Sequence, residues 1–350
     1  MTSPQIEIAG RKIGPAYEPF VICELSGNHN GELSRALSMI DAAAATGCDA
    51  VKIQTYTADT ITLDVDRPEF RIHGGLWDGR SLYELYQEAQ TPYEWHAALF
   101  ERARRAGVIL FSSPFDETAV DLLDGLGAPA FKIASFEAVD LPLIRYAAAR
   151  GKPLIISTGM ANLAEIEAAR TAALEAGAAG VVLLHCVSSY PADLADANVR
   201  TVADMAQRFD SPVGLSDHTH GSAASVAAVA LGASVIEKHF TLARADGGPD
   251  AAFSLEPAEF TALVRDCKDA WRALGRAHYD VLGSERGALQ FRRSLYVCAD
   301  TPAGAELTRA NVRSVRPGLG LAPQHLDAIL GRPAARPLKR GEPLAWDMVG

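Results

Sequence analysis

The sequence predicts an α/β protein, a (β/α)₈ barrel followed by a small loop-rich module. Three observations carry this. Eight short apolar runs lie between residues 20 and 241, and helical patterns alternate with them. Beyond residue 288 the alternation stops and prolines break the chain into short pieces. Eight βα units are enough to close a barrel. An open doubly wound sheet is the competing fold, but no GxGxxG follows the first strand.

The runs are FVICEL (20–25), AVKIQTY (50–56), VILFSSP (108–114), AFKIAS (130–135), PLIISTG (153–159), VVLLHCV (181–187), PVGLSDH (212–218) and VIEKHFT (235–241). Each is rich in β-branched residues and shows little polar alternation in its first part, the mark of strands covered on both faces. Their starts are 22–31 residues apart, except for a 58-residue step from the second to the third. That step predicts an insertion at 57–90 with its own helix near SLYELYQEAQ. Ahead of the first run, QIEIA and KIG flank Gly10-Arg11 and predict a hairpin plugging the N-terminal end of the barrel. Between runs, residues 34–46 place Leu37, Ile40 and Ala44 on one helix face. Thr91-Pro92-Tyr93-Glu94 predicts a capping box with Pro at the first helical position, for a helix ending at Gly107. Asn162 with Glu165 predicts another box, for a helix ending at Gly177.

Residues 296–350 hold six of the 19 prolines and seven Lys/Arg against five Asp/Glu. The expected division is 1–280 for the barrel with its hairpin, 281–295 for a linker and 296–350 for the small module. A module of that size is marginal alone and is expected to dock against a barrel, its own or a partner's.

The 350 residues are 48% hydrophobic and 22% charged, an ordinary globular composition. A net charge of −10 excludes a sequence-independent nucleic-acid binder, which needs a basic face. Five scattered cysteines without a CxxC exclude a disulfide framework and a Cys-type zinc site. No apolar run approaches the ~20 residues of a membrane span. The opening residues lack the basic-then-apolar order of a signal peptide, so a cytoplasmic protein is expected.

In such barrels the chemistry sits at the C-terminal ends of the strands. Every run brings polar residues there. They include Glu24, Ser26, Asn28 and His29, then Lys52, Gln54 and Tyr56. Ser112, Ser113, Lys132, Ser135, Ser157 and Thr158 follow. The last three runs add His185, Ser188, Ser189, Ser216, Asp217, His218, Glu237, Lys238 and His239. Lys and Glu are rarely buried unpaired, so a ring of them inside apolar strands reads as a ligand site. The competing reading sends some of these side chains outward into the helix layer, since side chains alternate. By that alternation Glu237 and His239 share a face and Lys238 points away. Ser216 and His218 share a face and Asp217 points away.

His218 and His239 then sit at corresponding heights on neighbouring strands. Two such imidazoles bind one divalent ion, with water and substrate oxygens in the other positions, or are simply hydrogen-bonded at the rim. Lys52 and Lys132 with Ser113, Ser135 and Ser157 suit a small phosphorylated or carboxylated anion. The bland alternative pairs each lysine with a carboxylate such as Glu24 or Glu137. No P-loop is present. Trp77, Trp95 and Trp271 read as packing residues, and Cys23 and Cys186 as small core residues.

At these same residues the chain resembles the sialic acid synthase family, and within it the pseudaminic branch. The likeness runs from Pro19 to the C-terminus. It is carried by CELSGNHNG, VKIQTYTADTITL, GGLWDGRSLYELYQEAQTPYEWH, FSSPFDETAVDLL, KIASFEAVD, STGMA, HCVSSYPA, GLSDHTHG, IEKHFTL, RRSLY and SVRPGLGLAP. The resemblance implies a (β/α)₈ TIM barrel followed by an antifreeze-like (SAF) domain. It implies a transferase that forms a C–C bond between phosphoenolpyruvate and an open-chain N-acetylated sugar aldehyde, in nonulosonic acid biosynthesis. For the pseudaminic branch that sugar is 2,4-diacetamido-2,4,6-trideoxy-L-altrose. It implies manganese or magnesium held by His218 and His239. It implies phosphoenolpyruvate held by Lys52, Gln54, Ser113, Lys132, Ser135, Ser157 and Ser216. The sugar would meet Phe115, Tyr190, Asp250 and Arg316, the last from the partner subunit of a domain-swapped homodimer. Glu137 and Ser188 join the expected substrate contacts. Ser188 stands where the plain sialic acid synthases carry Asn, and 74–96 departs from their pattern. Glu24 is expected to steady the cation developing at C2 or to handle the water proton, with Glu237 the second choice.

The nearest alternative is an N-acetylneuraminate or legionaminate synthase. A Schiff-base aldolase using Lys132 or Lys52 and a carbohydrate- or ice-binding protein are the alternatives from other classes.

Overall fold

The computed structural model describes residues 4–350. Residues 1–3, part of the stretch expected to carry no signal peptide, lie outside the described residues. Strands β1 (Ile6–Ile8) and β2 (Arg11–Ile13) pair antiparallel, Ile6 opposite Ile13 and Ile8 opposite Arg11. Ala9 and Gly10 turn between them at φ 49° and 81°, the positive values that a tight two-residue hairpin requires.

Eight parallel strands follow. They are β3 (Phe20–Glu24), β4 (Ala50–Thr55), β5 (Ile109–Pro114), β6 (Phe131–Ile133), β7 (Leu154–Ser157), β8 (Val181–Cys186), β9 (Val213–Asp217) and β10 (Val235–His239). They close into a barrel in sequence order, with β10 beside β3 and His239 opposite Glu24. All eight apolar runs are therefore barrel strands. Their outward residues, such as Val21, Cys23, Val51 and Leu110, join helix residues such as Met39, Ile40, Leu99 and Leu263 in one apolar layer. Their inward residues Phe20, Ile22, Phe111, Ile155, Val182 and Val235 form a second core with Ile8 and Ile13 of the hairpin. The hairpin thus plugs the N-terminal end, as expected. Gly214 belongs to this layer because nothing larger fits. A Cβ there would lie 2.2 Å from the Val235 carbonyl oxygen.

Helix Leu163–Glu175 opens with the expected box. Asn162 Oδ1 accepts from Glu165 N at 3.1 Å, and Glu165 Oε2 accepts from Asn162 N at 2.8 Å. The other expected box does not form. Pro92, at ψ 134°, is the cap of a 3₁₀ turn, Tyr93–Trp95, that precedes helix His96–Ala106. Thr91 is therefore one residue too early to cap, and its hydroxyl meets His29 Nε2 at 3.4 Å instead. The helix stops at Gly107, φ 71°, as predicted. The insertion after β4 holds helix Leu82–Ala89, capped by Ser81 accepting from Glu84 N at 3.1 Å.

The chain forms two compact units, Met1–Gly275 and Arg276–Gly350. The second has a 3₁₀ helix, Gly283–Phe291, and an antiparallel pair, β11 (Ser294–Val297) with β12 (Val312–Val315). Leu295, Leu307, Val312, Ile329, Leu338 and Leu344 give it its own core. Among the described residues no helix is long and apolar enough to cross a membrane.

Candidate active site

Residues two apart on a strand share a face. Each inward stripe therefore passes from the apolar layer into the C-terminal mouth of the barrel. Ile22 leads to Glu24, Ala50 to Lys52 and Gln54, Phe111 to Ser113, and Ala130 to Lys132. Ile155 leads to Ser157, Gly214 to Ser216, and Val235 to Glu237 and His239.

These residues form one buried charge network. Lys52 Nζ lies 3.1 Å from Glu24 Oε2, 3.4 Å from Glu237 Oε1 and 3.4 Å from Ser113 Oγ. Lys132 Nζ donates to Ser157 Oγ at 2.7 Å and lies 3.6 Å from Glu237 Oε1. Ser216 Oγ donates to Glu237 Oε1 at 3.0 Å. Gln54 Nε2 donates to Glu24 Oε1 at 2.9 Å and to Ser26 Oγ at 3.2 Å. The lysines do pair with carboxylates, but with Glu24 and Glu237. Glu137 forms an ion pair with neither among the described residues.

Burial raises every carboxyl here, and the neighbours decide the outcome. At Glu237 the burial is outweighed by Lys132, Lys52 and the Ser216 hydroxyl, which hold the group at about 2. At Glu24 burial prevails over the pull of Lys52, the like charge of Glu237 adds to the rise, and the carboxyl stands above its ordinary value. Burial lifts Glu137 to about 7. Burial also works against both ammonium groups. Lys132 is pushed down, while Glu237 and Glu24 keep Lys52 up. One glutamate therefore stays ionised between two lysines, and another is poised to hold a proton. Glu137 Oε2, Glu237 Oε2 and His239 Nδ1 are buried with no hydrogen-bond partner among the described residues.

The histidines stand beside this network with ring centroids 5.3 Å apart. His218 Nδ1 lies 2.9 Å from the Val187 carbonyl oxygen. His239 Nδ1 lies 3.5 Å from Asp250 Oδ2, and burial followed by the neighbouring cations pushes this imidazole well below its ordinary value. Asp250 accepts a hydrogen bond from Ser26 Oγ. Tyr190 covers His218 at 4.4 Å and Phe253 covers His239 at 4.9 Å, centroid to centroid. One imidazole with a nitrogen spent on a backbone carbonyl, beside a neutral one with a buried unpartnered nitrogen, fits a divalent cation. Among the described residues no group of three or more His, Cys, Asp or Glu could hold a metal. A cation at the two histidines would take its remaining ligands from small molecules.

Ser135 Oγ accepts from Gly159 N at 3.2 Å, and a Cβ on Gly159 would lie 2.2 Å from Ser188 Oγ. Phe115 is half-buried, edge-on to Tyr56 at 5.1 Å. Arg316 is exposed and lies in the second unit, just after β12.

The outward residues pair within the helix layer, as the alternation predicts. Lys238 Nζ lies 2.9 Å from Asp217 Oδ2, which also accepts from Ser225 Oγ at 2.6 Å. His185 Nε2 lies 2.8 Å from the Ala197 carbonyl oxygen, and Ser112 Oγ 2.6 Å from Thr55 Oγ1.

Three residues escaped the sequence reading. Cys186, read as core, lies 3.8 Å from His218 Nδ1 through its sulfur. It follows inward Leu184 by two, a parity that could have exposed it. Phe253, on the 3₁₀ turn Ala251–Phe253 outside the strands, left no such signal. Trp77, read as packing, donates from Nε1 to the Pro249 carbonyl oxygen at 3.0 Å and faces Tyr190 at 5.9 Å.

Comparison with known proteins places these features in a family. The pattern of the NeuB family matches residues 39–279, and that of the SAF domain matches residues 292–350. The chain is 44% identical over 325 residues to a pseudaminic acid synthase of Campylobacter jejuni, covering 93% of this chain and 95% of that protein. It is 35% identical over 342 residues to an N,N'-diacetyllegionaminic acid synthase of Legionella pneumophila, covering 96% of each. The crystal structure of an N-acetylneuraminic acid synthetase from Leptospira borgpetersenii superposes with a TM-score of 0.74 at 32% identity. That match covers 83% of this chain and 96% of the other.

Proposed function

The chain belongs to the NeuB family, and on that premise we propose that it acts as a pseudaminic acid synthase. It condenses phosphoenolpyruvate with 2,4-diacetamido-2,4,6-trideoxy-L-altrose and water to give pseudaminic acid and phosphate. The observation that carries the chemistry is the pair of buried lysines sharing Glu237 beside two histidines. Such a pair suits an anion bearing both carboxylate and phosphate. The buried carboxylate and imidazole atoms without protein partners support a site that a polar substrate completes. The choice of sugar is supported by the higher identity to the pseudaminic than to the legionaminic relative.

In this reading Lys52 and Lys132 bind phosphoenolpyruvate, with Gln54, Ser113, Ser135, Ser157 and Ser216 donating to its oxygens. Phe115, Glu137, Ser188, Tyr190 and Asp250 line the sugar. A manganese or magnesium ion held by His218 and His239 would supply Lewis-acid polarisation of the aldehyde. C3 of phosphoenolpyruvate forms the new C–C bond to the aldehyde carbon, and positive charge develops at C2. Ionised Glu237 steadies that charge, and Glu24 takes the proton of the water that adds at C2. The C2–O bond then breaks and phosphate leaves against the two lysines.

Arg316 serves the barrel of the partner in a domain-swapped homodimer. The net charge of +2 over 296–350, against −12 for the rest of the chain, supports that exchange. The enzyme works in the cytoplasm, a placement supported by its five free cysteines.

The test is phosphate release from phosphoenolpyruvate with manganese, comparing the altrose derivative with N-acetylmannosamine. Turnover of the altrose derivative alone is expected. Turnover of N-acetylmannosamine alone moves the protein to the sialic branch, and release with neither overturns the reading. Water labelled with heavy oxygen should leave its label in the keto acid; label in phosphate rules out C–O cleavage.

A further inference from the structure

The segment between β4 and β5 brings Trp77 to the mouth of the barrel. Its indole N–H is spent on the Pro249 carbonyl oxygen at 3.0 Å, one residue before Asp250. Its ring lies 5.9 Å from Tyr190 at 48°, and Tyr190 in turn lies 4.4 Å from His218. The segment is fixed there by close packing. A Cβ on Gly27 would sit 2.9 Å from Ala89 Cβ, at the end of helix Leu82–Ala89, and 3.1 Å from Pro249 Cγ. Trp77 therefore stands one ring further than Tyr190 from the histidine pair, half-buried, with its polar edge already satisfied.

An extended six-carbon chain spans about 6 Å, so a sugar with its aldehyde at the histidines reaches past Tyr190 with its C6 end. The proposed substrate has a methyl at C6 where N-acetylmannosamine carries a hydroxymethyl. Indole carbons favour the first and leave the hydroxyl of the second without a partner. We infer that Trp77 is a specificity-determining residue whose indole, with the Tyr190 ring, forms an apolar wall that reads the C6 methyl of the sugar. The inference rests on the proposed synthase activity.

The experiment compares kcat/KM for 2,4-diacetamido-2,4,6-trideoxy-L-altrose and for its counterpart carrying a C6 hydroxyl. It uses the full-length protein with manganese, as wild type, Trp77→Ala and Trp77→Phe. The wild type should prefer the deoxy sugar by about 10–100-fold. Trp77→Ala should bring the ratio near one by raising KM for the deoxy sugar, with KM for phosphoenolpyruvate unchanged. Trp77→Phe keeps a ring and gives up only the bond to Pro249, and should keep most of the preference. An equal loss for both sugars, or a ratio that Trp77→Ala leaves intact, overturns the assignment. So does loss of the ratio in Trp77→Phe with an unchanged thermal melt, a result that decides even if the alanine variant does not fold. No phosphate release with either sugar in the wild type overturns the synthase activity itself.

Discussion

The two ends of the barrel interior are built from the same strands and follow opposite rules. At the N-terminal end the inward residues are Phe20, Ile22, Phe111, Ile155, Val182 and Val235, closed off by Ile8 and Ile13. At the C-terminal end the same stripes present Glu24, Lys52, Ser113, Lys132, Ser157, Ser216 and Glu237. Both ends are buried. One is held by area removed from water, the other by a matched set of charges whose members each depend on the next. The apolar end fixes where the strands stand, and the polar end uses that rigidity to hold four ionisable groups together. The difference teaches that burial alone does not make a core. What matters is whether the buried atoms are complete within the protein.

Damage should therefore read out differently at the two ends. Phe111→Ala, in the apolar layer, should cost about 3–5 kcal/mol of stability in urea unfolding, with kcat per folded molecule nearly unchanged. A large fall in kcat at full folding would break the distinction. Lys132→Ala, one layer up, should lower phosphate release by about 10²–10³-fold, or ~3–4 kcal/mol of barrier, with the circular dichroism spectrum retained. Activity within a few-fold of wild type would remove this lysine from the site.

A smaller effect tests the electrostatics. Glu137 is held by burial at about 7. The folded state therefore holds its proton more tightly than the unfolded state does, and stability is lost as pH rises from the ordinary carboxylate range through 7. Glu137→Gln should match wild type at low pH and gain on it across that window, by at most about 3 kcal/mol. Parallel stability curves for the two proteins would show that Glu137 is not raised. The smallest effect belongs outside the barrel. Arg309 and Asp327 form an exposed ion pair in the second unit, and Arg309→Ala should leave Tm unchanged within error. A clear drop would mean that surface pairs hold that module together.

Much of this is legible in the sequence. The eight strands, the hairpin, the Asn162 box and the outward turn of Asp217 and Lys238 follow from local chemistry and a period of two. The pairing of His218 with His239 follows from equal offsets on neighbouring strands. The Thr91 box failed because Pro92 moves the cap onto itself, and capping geometry tolerates no shift of one residue. Cys186 is not legible as a site residue because its type argues for core in most contexts. Trp77 is not legible because nothing local says which loop it reaches.

The fold, its family and the residue types at the mouth of the barrel are written along the chain, because periodicity and short motifs are local properties. Tertiary structure alone decided that Glu237, and not Glu137, lies between the two lysines. It also decided that Glu24 rises while Glu237 falls, and that an indole from the insertion reaches Tyr190. Those outcomes depend on distances of a few ångströms between residues as far apart in the chain as Lys52 and Glu237. Coulomb energies and burial are set by such distances, and no pattern along the chain encodes them.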